Sequence, residues 1–102
     1  MTFALLNRLI AKPGERDRVI QKLIESGKLF DSNDACILYL VAASEEDPDV
    51  IWVVDLWTTE GAHARALRAP ELRPHVSETI PLLEGPPEQI KLNLRGGKGI
   101  GG

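Results

Sequence analysis

The sequence has only one cysteine, Cys36, so it cannot form an internal disulfide. This cysteine lies in the apolar run ACIL at residues 35–38, where a buried and unreactive thiol is more typical than a nucleophile. The two histidines, His63 and His75, are 12 residues apart, and together with Cys36 they do not match the spacing of zinc ligands. No serine lies in a recognisable nucleophile turn. We therefore expect neither a metal site nor a Ser-His-Asp triad.

Long apolar runs and clusters of basic residues are also missing from the sequence. No apolar run approaches the roughly 18 residues that a membrane-spanning helix needs. The N-terminal segment has neither the basic region nor the cleavage site of a secretory signal. The net charge is −3 and the isoelectric point about 5.3, whereas nucleic-acid binding depends on clustered lysine and arginine. These absences predict a cytoplasmic protein that binds neither membranes nor nucleic acids.

The length of 102 residues suits a single domain. Residues 96–102 are rich in glycine, have almost nothing to bury and predict a flexible tail. No helix follows these glycines, so a phosphate-binding loop is a poor interpretation of them. We expect one domain over residues 1–95, followed by this tail.

Hydrophobic periodicity predicts four strands and two helical regions, the second of them interrupted at Pro70. Pro13 is expected in the first turn of the first helix and Gly27 at its end, while Thr58 is expected to cap the second helix. Pro81 should loosen the last helical segment. The predicted strands cover residues 3–11, 35–43, 50–57 and 89–95, and the predicted helical segments cover residues 13–27, 59–68 and 71–83. This βαββαβ order predicts a ferredoxin-like α+β fold with a four-stranded antiparallel sheet.

Strands two and three are apolar on both faces. In strand three one face carries Val50, Trp52, Val54 and Leu56, and the other carries Ile51, Val53 and Trp57. In strand two the same alternation places Cys36, Leu38 and Leu40 opposite Ile37, Tyr39 and Val41. Crossover connections are right-handed, so both helical regions are expected to cover the same face of the sheet. The other face would then expose more apolar surface than a monomer tolerates. We expect a two-fold homodimer packed sheet to sheet, the alternative being a monomer whose ligand covers that face.

Four segments of the chain have a familiar order and spacing. They are NRLIAKPG at residues 7–14, DLWTTEGAH at 55–63, APEL at 69–72, and IPLL with GPPE at 80–88. Together they resemble the antibiotic biosynthesis monooxygenase family over residues 3–95, and the last segment is similar to its quinol monooxygenase type. The resemblance implies a ferredoxin-like dimer whose sheets pack into an α/β barrel, with a pocket between sheet and helices. It also implies oxidation of quinol-like aromatics by O₂ without metal or flavin.

The same resemblance suggests catalytic roles for Asn7, Asp55, Trp57 and His63. Asn7 is an amide inside an apolar strand and needs a partner, either a ligand oxygen or a backbone group. Asp55 is a candidate general base or one half of an ion pair with Arg8 or a histidine. Trp57 is either a pocket wall or a core residue, and His63, six residues later, is either a group that moves a phenolic proton or a residue at the core edge.

Val53, His75 and Arg8 are expected to contact the substrate. Some antibiotic-tailoring members carry an asparagine four residues before the strand-three tryptophan, where this chain has Val53. The haem-degrading branch combines an asparagine like Asn7 with a helix tryptophan and a following histidine. His75 fits that histidine, but Ala66 stands at the tryptophan position, which argues against haem degradation.

These observations support two hypotheses about function. The first is a cofactor-independent monooxygenase that oxidises a quinol or an aromatic polyketide-like small molecule with O₂. The second is a non-catalytic dimer of the same fold that binds haem or a small aromatic compound. A purely structural dimer, with its pocket filled by side chains, is a further alternative.

Overall fold

The computed structural model describes residues 2–99, which form a four-stranded antiparallel sheet with three α-helices packed on one face. The strands are β1 (Thr2–Ile10), β2 (Cys36–Ala43), β3 (Val50–Trp57) and β4 (Glu88–Leu94), in the spatial order β2-β3-β1-β4. The helices are α1 (Arg16–Gly27), α2 (Glu60–Leu67) and α3 (Arg73–Thr79). Short 3₁₀ segments cover Lys28–Phe30, Pro70–Leu72 and Ile80–Leu82. The predicted ferredoxin-like α+β fold is confirmed.

The register of β1 and β3 determines which side chains face the helices. The pairs on the helix side are Phe3–Trp57, Leu5–Asp55, Asn7–Val53 and Leu9–Ile51. Paired residues of an antiparallel ladder share a face, and successive residues alternate between faces. The hydrophobic core forms on this side from Leu9, Ala11, Val19, Ile51, Val53 and Leu83. The alternation predicted for strand three is therefore confirmed.

The first helix begins later than its sequence pattern suggested. α1 begins at Arg16 rather than at Pro13. Gly14 adopts a left-handed backbone conformation with φ of +80°, and it turns the chain before the helix begins. The end of α1 at Gly27 agrees with the prediction.

The start of α2 is also displaced by one residue. Thr59, not Thr58, is the capping residue, because Thr59 Oγ1 accepts a hydrogen bond from the backbone N–H of Ala62 at 3.0 Å. The third helical region is not continuous, since α3 is flanked by two 3₁₀ segments. Pro81 lies in the second of these segments, as expected of a residue that loosens a helix end.

The pairing of β2 with β3 shifts register between Cys36 and Leu38, which makes Ile37 an extra residue in the strand. Cys36 pairs with Trp57 and therefore lies on the helix side. The predicted alternation, which put Cys36 on the same side as Leu38, is wrong at this residue. Burial and the nearby carboxylate of Asp55 raise the pKa of the Cys36 thiol. The thiol is thus protonated and unreactive near neutral pH.

Tyr39 of β2 packs directly on the backbone of α1 at Gly27. A Cβ atom on Gly27 would lie 2.6 Å from Tyr39 Cε1 and 2.7 Å from Tyr39 Cδ1, closer than real Cβ contacts. The ring is held in place, because Tyr39 Oη donates a hydrogen bond to Leu23 O at 3.1 Å. It also packs against Phe30 with 5.5 Å between ring centroids. A side chain at Gly27 would therefore displace a residue that is fixed at both ends.

We expect Gly27→Ala to lower the free energy of unfolding by about 1–3 kcal/mol, because the added methyl group must displace Tyr39. Urea denaturation followed by circular dichroism measures this change. Gly61→Ala is the matched control, since a Cβ there would meet only Arg65 Nη1 at 3.4 Å and Thr59 Oγ1 at 4.0 Å. On the helix α2 this control should raise the free energy of unfolding by about 0.5–1 kcal/mol. Equal effects of the two substitutions would contradict the steric account.

The helix-free face of the sheet is apolar and exposed in the single chain. Leu38, Leu40, Ile90 and Leu92 are 37%, 51%, 49% and 48% exposed. The register places all four on the side that the helices do not cover. The predicted homodimer depends on this face.

Two further properties concern residues 2–99. Within this range no helix combines the length and the apolar character that crossing a membrane requires. Over the same residues, no three side chains of His, Cys, Asp or Glu lie close enough together to hold a metal ion. The end of the predicted flexible tail, residues 100–102, lies outside the described range.

Candidate active site

A cavity of about 330 Å³ lies between the sheet and helices α1, α2 and α3. Its polar lining residues are Asn7, Ser26, Tyr39, Asp55, His63, His75, Thr79 and Gln89, and the rest of the wall is apolar. Small-molecule sites run from about 300 to 1,000 Å³ and combine apolar walls with a few polar groups. The cavity therefore suits a small organic molecule with a largely apolar body.

The opening of the cavity is largely apolar, with the exposed Gln89 as its polar member. Leu67 of α2, Val76 of α3 and Ile80 line the cavity and are nevertheless 49%, 45% and 61% exposed. These side chains mark the place where the cavity meets solvent. An apolar opening favours entry of an aromatic or aliphatic compound over a strongly charged one.

A buried polar cluster lies on the sheet side of the cavity. Asn7 Nδ2 donates hydrogen bonds to Asp55 Oδ1 at 3.0 Å and to Val53 O at 3.1 Å. Trp57 Nε1 donates to Asp55 Oδ2 at 2.9 Å. Asn7, Asp55 and Trp57 are 8%, 5% and 0% exposed. Because both carboxylate oxygens have donors, the cluster avoids the desolvation cost of an unpaired buried charge.

His63 joins this cluster to helix α2. Its Nε2 atom lies 3.6 Å from Asp55 Oδ2, and its side chain is 12% exposed. The imidazole packs against the rings of Trp57 and Phe3, with centroid distances of 5.4 Å and 5.6 Å. Burial lowers the pKa of His63 below its ordinary value of about 6.5, and this effect outweighs the opposing effect of Asp55. His63 is therefore neutral near pH 7 and can accept a proton.

The cavity wall includes most of the site residues that the sequence suggested. The residues found there are Asn7, Val53, Asp55, His63 and His75. Trp57 does not line the cavity, although it lies on the same sheet face, because its indole is fully buried and turned towards Asp55. It contacts the site through Asp55 and His63.

Arg8 lies on the opposite, helix-free face of the sheet. It pairs across the ladder with Trp52, one position from the Asn7 pair, so its side chain leaves the sheet on the other side. Arg8 Nη1 forms an ion pair with Glu88 Oε1 at 3.3 Å. Of the two neighbours predicted for the Asp55 carboxylate, the structure therefore places a histidine beside it, at 3.6 Å and neutral near pH 7, and not Arg8.

Sequence reasoning missed four polar residues of the cavity wall, namely Ser26, Tyr39, Thr79 and Gln89. Tyr39 was assigned only to a strand face, and its hydroxyl donates to a backbone oxygen. Burial and Asp55 raise the pKa of this phenol well above its ordinary value, so it stays protonated. Thr79 Oγ1 donates to His75 O at 2.6 Å, four residues earlier on α3. The spacing from His75 places both residues on one helix face and is the signal that could have identified Thr79.

The family model for antibiotic biosynthesis monooxygenase matches residues 2–77, well over half of the chain. The chain belongs to the antibiotic biosynthesis monooxygenase family. The predicted membership of this family is thereby confirmed, and three of the four sequence segments lie within the matched residues. The matched region includes every residue of the polar cluster and His75, whereas the cavity lining from Thr79 to Gln89 lies beyond it.

Solved structures agree with this family assignment. A crystal structure from Chloroflexus aurantiacus that carries the family's name is 31% identical, with a TM-score of 0.87, and the match covers 99% of this chain and 100% of that chain. SnoaB from Streptomyces nogalater, named as a cofactor-independent oxygenase, is 16% identical with a TM-score of 0.82 and coverages of 95% and 96%. Rv0793 from Mycobacterium tuberculosis is 15% identical with a TM-score of 0.84 and coverages of 97% and 100%. At these lower identities the likeness shows the fold alone. No curated protein matches the chain.

Proposed function

We propose that this protein is a cofactor-independent monooxygenase that oxidises a quinol or an aromatic polyketide-like small molecule with O₂. One observation carries the proposal: a buried amide, carboxylate and imidazole cluster forms one wall of an otherwise apolar cavity of about 330 Å³. Such a cavity can hold an aromatic ring and also offers a group that accepts its hydroxyl proton. The fold shared with SnoaB, a cofactor-independent oxygenase, is consistent with this activity.

The proposed reaction uses the substrate itself as the reductant of O₂. Loss of a hydroxyl proton makes the quinol an electron-rich anion, which transfers one electron to O₂. The resulting semiquinone and superoxide join in a carbon–oxygen bond at a ring carbon. Loss of the proton on that carbon breaks the O–O bond and releases water. One quinol and one O₂ thus give one hydroxyquinone and one water.

Different residues in and beside the cavity are proposed to carry out the separate steps of this reaction. His63 is the proposed base, because burial keeps its imidazole neutral near pH 7. Asp55 orients the imidazole, and Trp57 holds Asp55 through the hydrogen bond from Nε1. Asn7 is proposed to bind a substrate oxygen. Val53 and His75 contact the body of the substrate, and the apolar wall excludes water from the reactive anion.

Oxygen-electrode assays with anaerobically prepared naphthoquinols test the proposed function. We expect O₂ uptake above the rate of autoxidation, with one hydroxyquinone formed for each O₂ consumed. Uptake should persist in the presence of EDTA and without added flavin. If a broad panel of quinols and polycyclic phenols gave no protein-dependent uptake, the proposal would fail.

The second candidate is a non-catalytic dimer that binds haem or a small aromatic compound. His75 favours it, because this histidine lines the cavity and imidazole is a common haem ligand. Tight binding with a shifted Soret band, combined with no O₂ uptake from any quinol, would support this candidate over the enzyme.

We also propose that two copies of the chain pack through their helix-free sheet faces. The exposed leucines and isoleucine of that face would be removed from water, which is worth about 25 cal/mol per Å² of apolar surface. A symmetric interface would make each copy cover the same face of the other.

Size-exclusion chromatography with light scattering should give twice the chain mass of 11.2 kDa. Leu40→Glu should convert the dimer to a monomer, because Leu40 is 51% exposed on the proposed interface. Ile24→Glu is the matched control, since Ile24 is 48% exposed but lies on α1, and it should leave the dimer intact. A wild-type monomer at micromolar concentration, or a dimeric Leu40→Glu variant, would contradict this interface.

A further inference from the structure

We infer that Asn7 presents a hydrogen-bond acceptor to the cavity, so that the site selects an aromatic hydroxyl over the matching ether or carbonyl. This inference rests on the proposed function, because it defines the class of substrate that the same cavity takes. It concerns whether Asn7 accepts or donates a hydrogen bond to the ligand, and it can be tested by binding alone, without catalysis.

The orientation of the Asn7 amide is fixed by its two neighbours. The Nδ2 atom lies 3.0 Å from a carboxylate oxygen of Asp55 and 3.1 Å from the carbonyl oxygen of Val53. Both neighbours are acceptors only, so a reversed amide would place its oxygen against two other oxygens. The two amide hydrogens are therefore committed to the protein, and Asn7 has no N–H left to offer a ligand.

The remaining polar atom of this side chain is Oδ1. Asn7 Oδ1 accepts no hydrogen bond from residues 2–99. In the same range, every side-chain nitrogen or oxygen that is completely enclosed by protein has a hydrogen-bond partner. Oδ1 must therefore retain some accessible surface. Asn7 lines the cavity and is only 8% exposed overall, so this surface faces the cavity.

An acceptor at this position distinguishes the two redox forms of a quinone. A quinol or phenol O–H can donate a hydrogen bond to Asn7 Oδ1. A quinone carbonyl or an ether oxygen has no hydrogen to donate, so two acceptor oxygens would face each other. Sites built around a hydrogen bond to a ligand hydroxyl discriminate strongly against analogues without one, because the buried partner is then left unpaired. The same polarity favours release of the hydroxyquinone product, because the two former quinol hydroxyls are carbonyls in it and can no longer donate to Asn7 Oδ1.

Isothermal titration calorimetry of the full chain with 2-naphthol and with 2-methoxynaphthalene tests this selection without any reaction. We expect the wild-type protein to bind 2-naphthol about tenfold more tightly or better. In Asn7→Leu the ratio of the two affinities should fall to about one, because an apolar side chain of similar size replaces the acceptor. Ile80→Ala is the control, since Ile80 lies at the exposed opening and should weaken both ligands by the same factor.

Two outcomes would overturn the inference: equal affinity of the wild-type protein for the two compounds, or a preference that survives in Asn7→Leu. Equal affinity together with quinol-dependent O₂ uptake would leave the proposed function standing, whereas no binding and no uptake would remove both. A second measurement covers the case in which Asn7→Leu does not fold. In the wild-type protein, the two Asn7 side-chain N–H signals should be protected from hydrogen exchange and should stay protected when 2-naphthol binds. Fast exchange of these hydrogens would show that the amide is not locked.

Discussion

Replacing His63 with alanine should lower the kcat of quinol-dependent O₂ uptake by about 10²–10⁴-fold, the usual contribution of a positioned general base. His63 is the group in the cavity wall that is both neutral near pH 7 and adjacent to a carboxylate that can stabilise its protonated form. Its Nε2 atom lies 3.6 Å from Asp55 Oδ2. Steady-state O₂ consumption at saturating quinol measures the loss.

The pH profile distinguishes this role from a structural one. Because burial lowers the pKa of His63 below about 6.5, the wild-type rate should be level near pH 7 and fall as the pH drops through that lowered pKa. His63→Ala should lack this acidic decline. His75→Ala is the comparison variant, since His75 also lines the cavity, and it should retain the decline even where it raises KM. A His63→Ala enzyme with more than a tenth of the wild-type kcat would contradict the assignment.

Replacing Asp55 with alanine should lower the free energy of unfolding by roughly 3–5 kcal/mol. The substitution leaves Asn7 Nδ2 and Trp57 Nε1 without the carboxylate oxygens that lie 3.0 Å and 2.9 Å from them. Each unsatisfied buried donor costs about 1–3 kcal/mol, and the lost side chain enlarges the cavity between the sheet and the helices. Small domains have only about 5–15 kcal/mol in total, so urea denaturation should show a large shift of the midpoint.

Two further variants test whether the loss comes from this cluster. Glu25→Ala removes an exposed carboxylate on α1 and should change the free energy of unfolding by less than about 0.5 kcal/mol. The free energy of unfolding of Asp55→Asn should lie between those of Asp55→Ala and Glu25→Ala. The amide oxygen of the new side chain can still accept a hydrogen bond from Asn7, while its N–H₂ group faces the Trp57 donor. An Asp55→Ala variant as stable as Glu25→Ala would show that the cluster contributes little to folding.

Periodicity was sufficient to predict the sheet, its helices and the faces of strand three. Alternation along β3 placed Val53, Asp55 and Trp57 on one side, and the register confirms that placement. Asn7 was recognised because an amide in an apolar strand needs a partner, and it has two. These predictions succeed because side-chain direction in a strand follows directly from the two-residue repeat.

The direction of a buried side chain within its face and the local register of a strand could not be predicted in the same way. Trp57 shares a face with Asp55, yet its indole edge is turned towards that carboxylate and not into the cavity. The bulge beside Cys36 adds one residue to β2 and moves Cys36, the first residue of the strand, to the helix side. The choice of Thr59 over Thr58 as the cap depends on backbone angles that two identical neighbouring side chains do not reveal.

The two tryptophans of β3 lie on opposite faces of one strand, and each can serve as an intrinsic optical reporter of a different event. The indole of Trp57 touches the carboxylate and imidazole of the cavity wall, so its emission should respond to ligands and to acid titration. Trp52 pairs with Arg8 and Ala42 on the other face, where its emission should respond to formation of the proposed dimer. Trp52→Phe and Trp57→Phe variants, each with a single tryptophan, would separate the two signals without an added label.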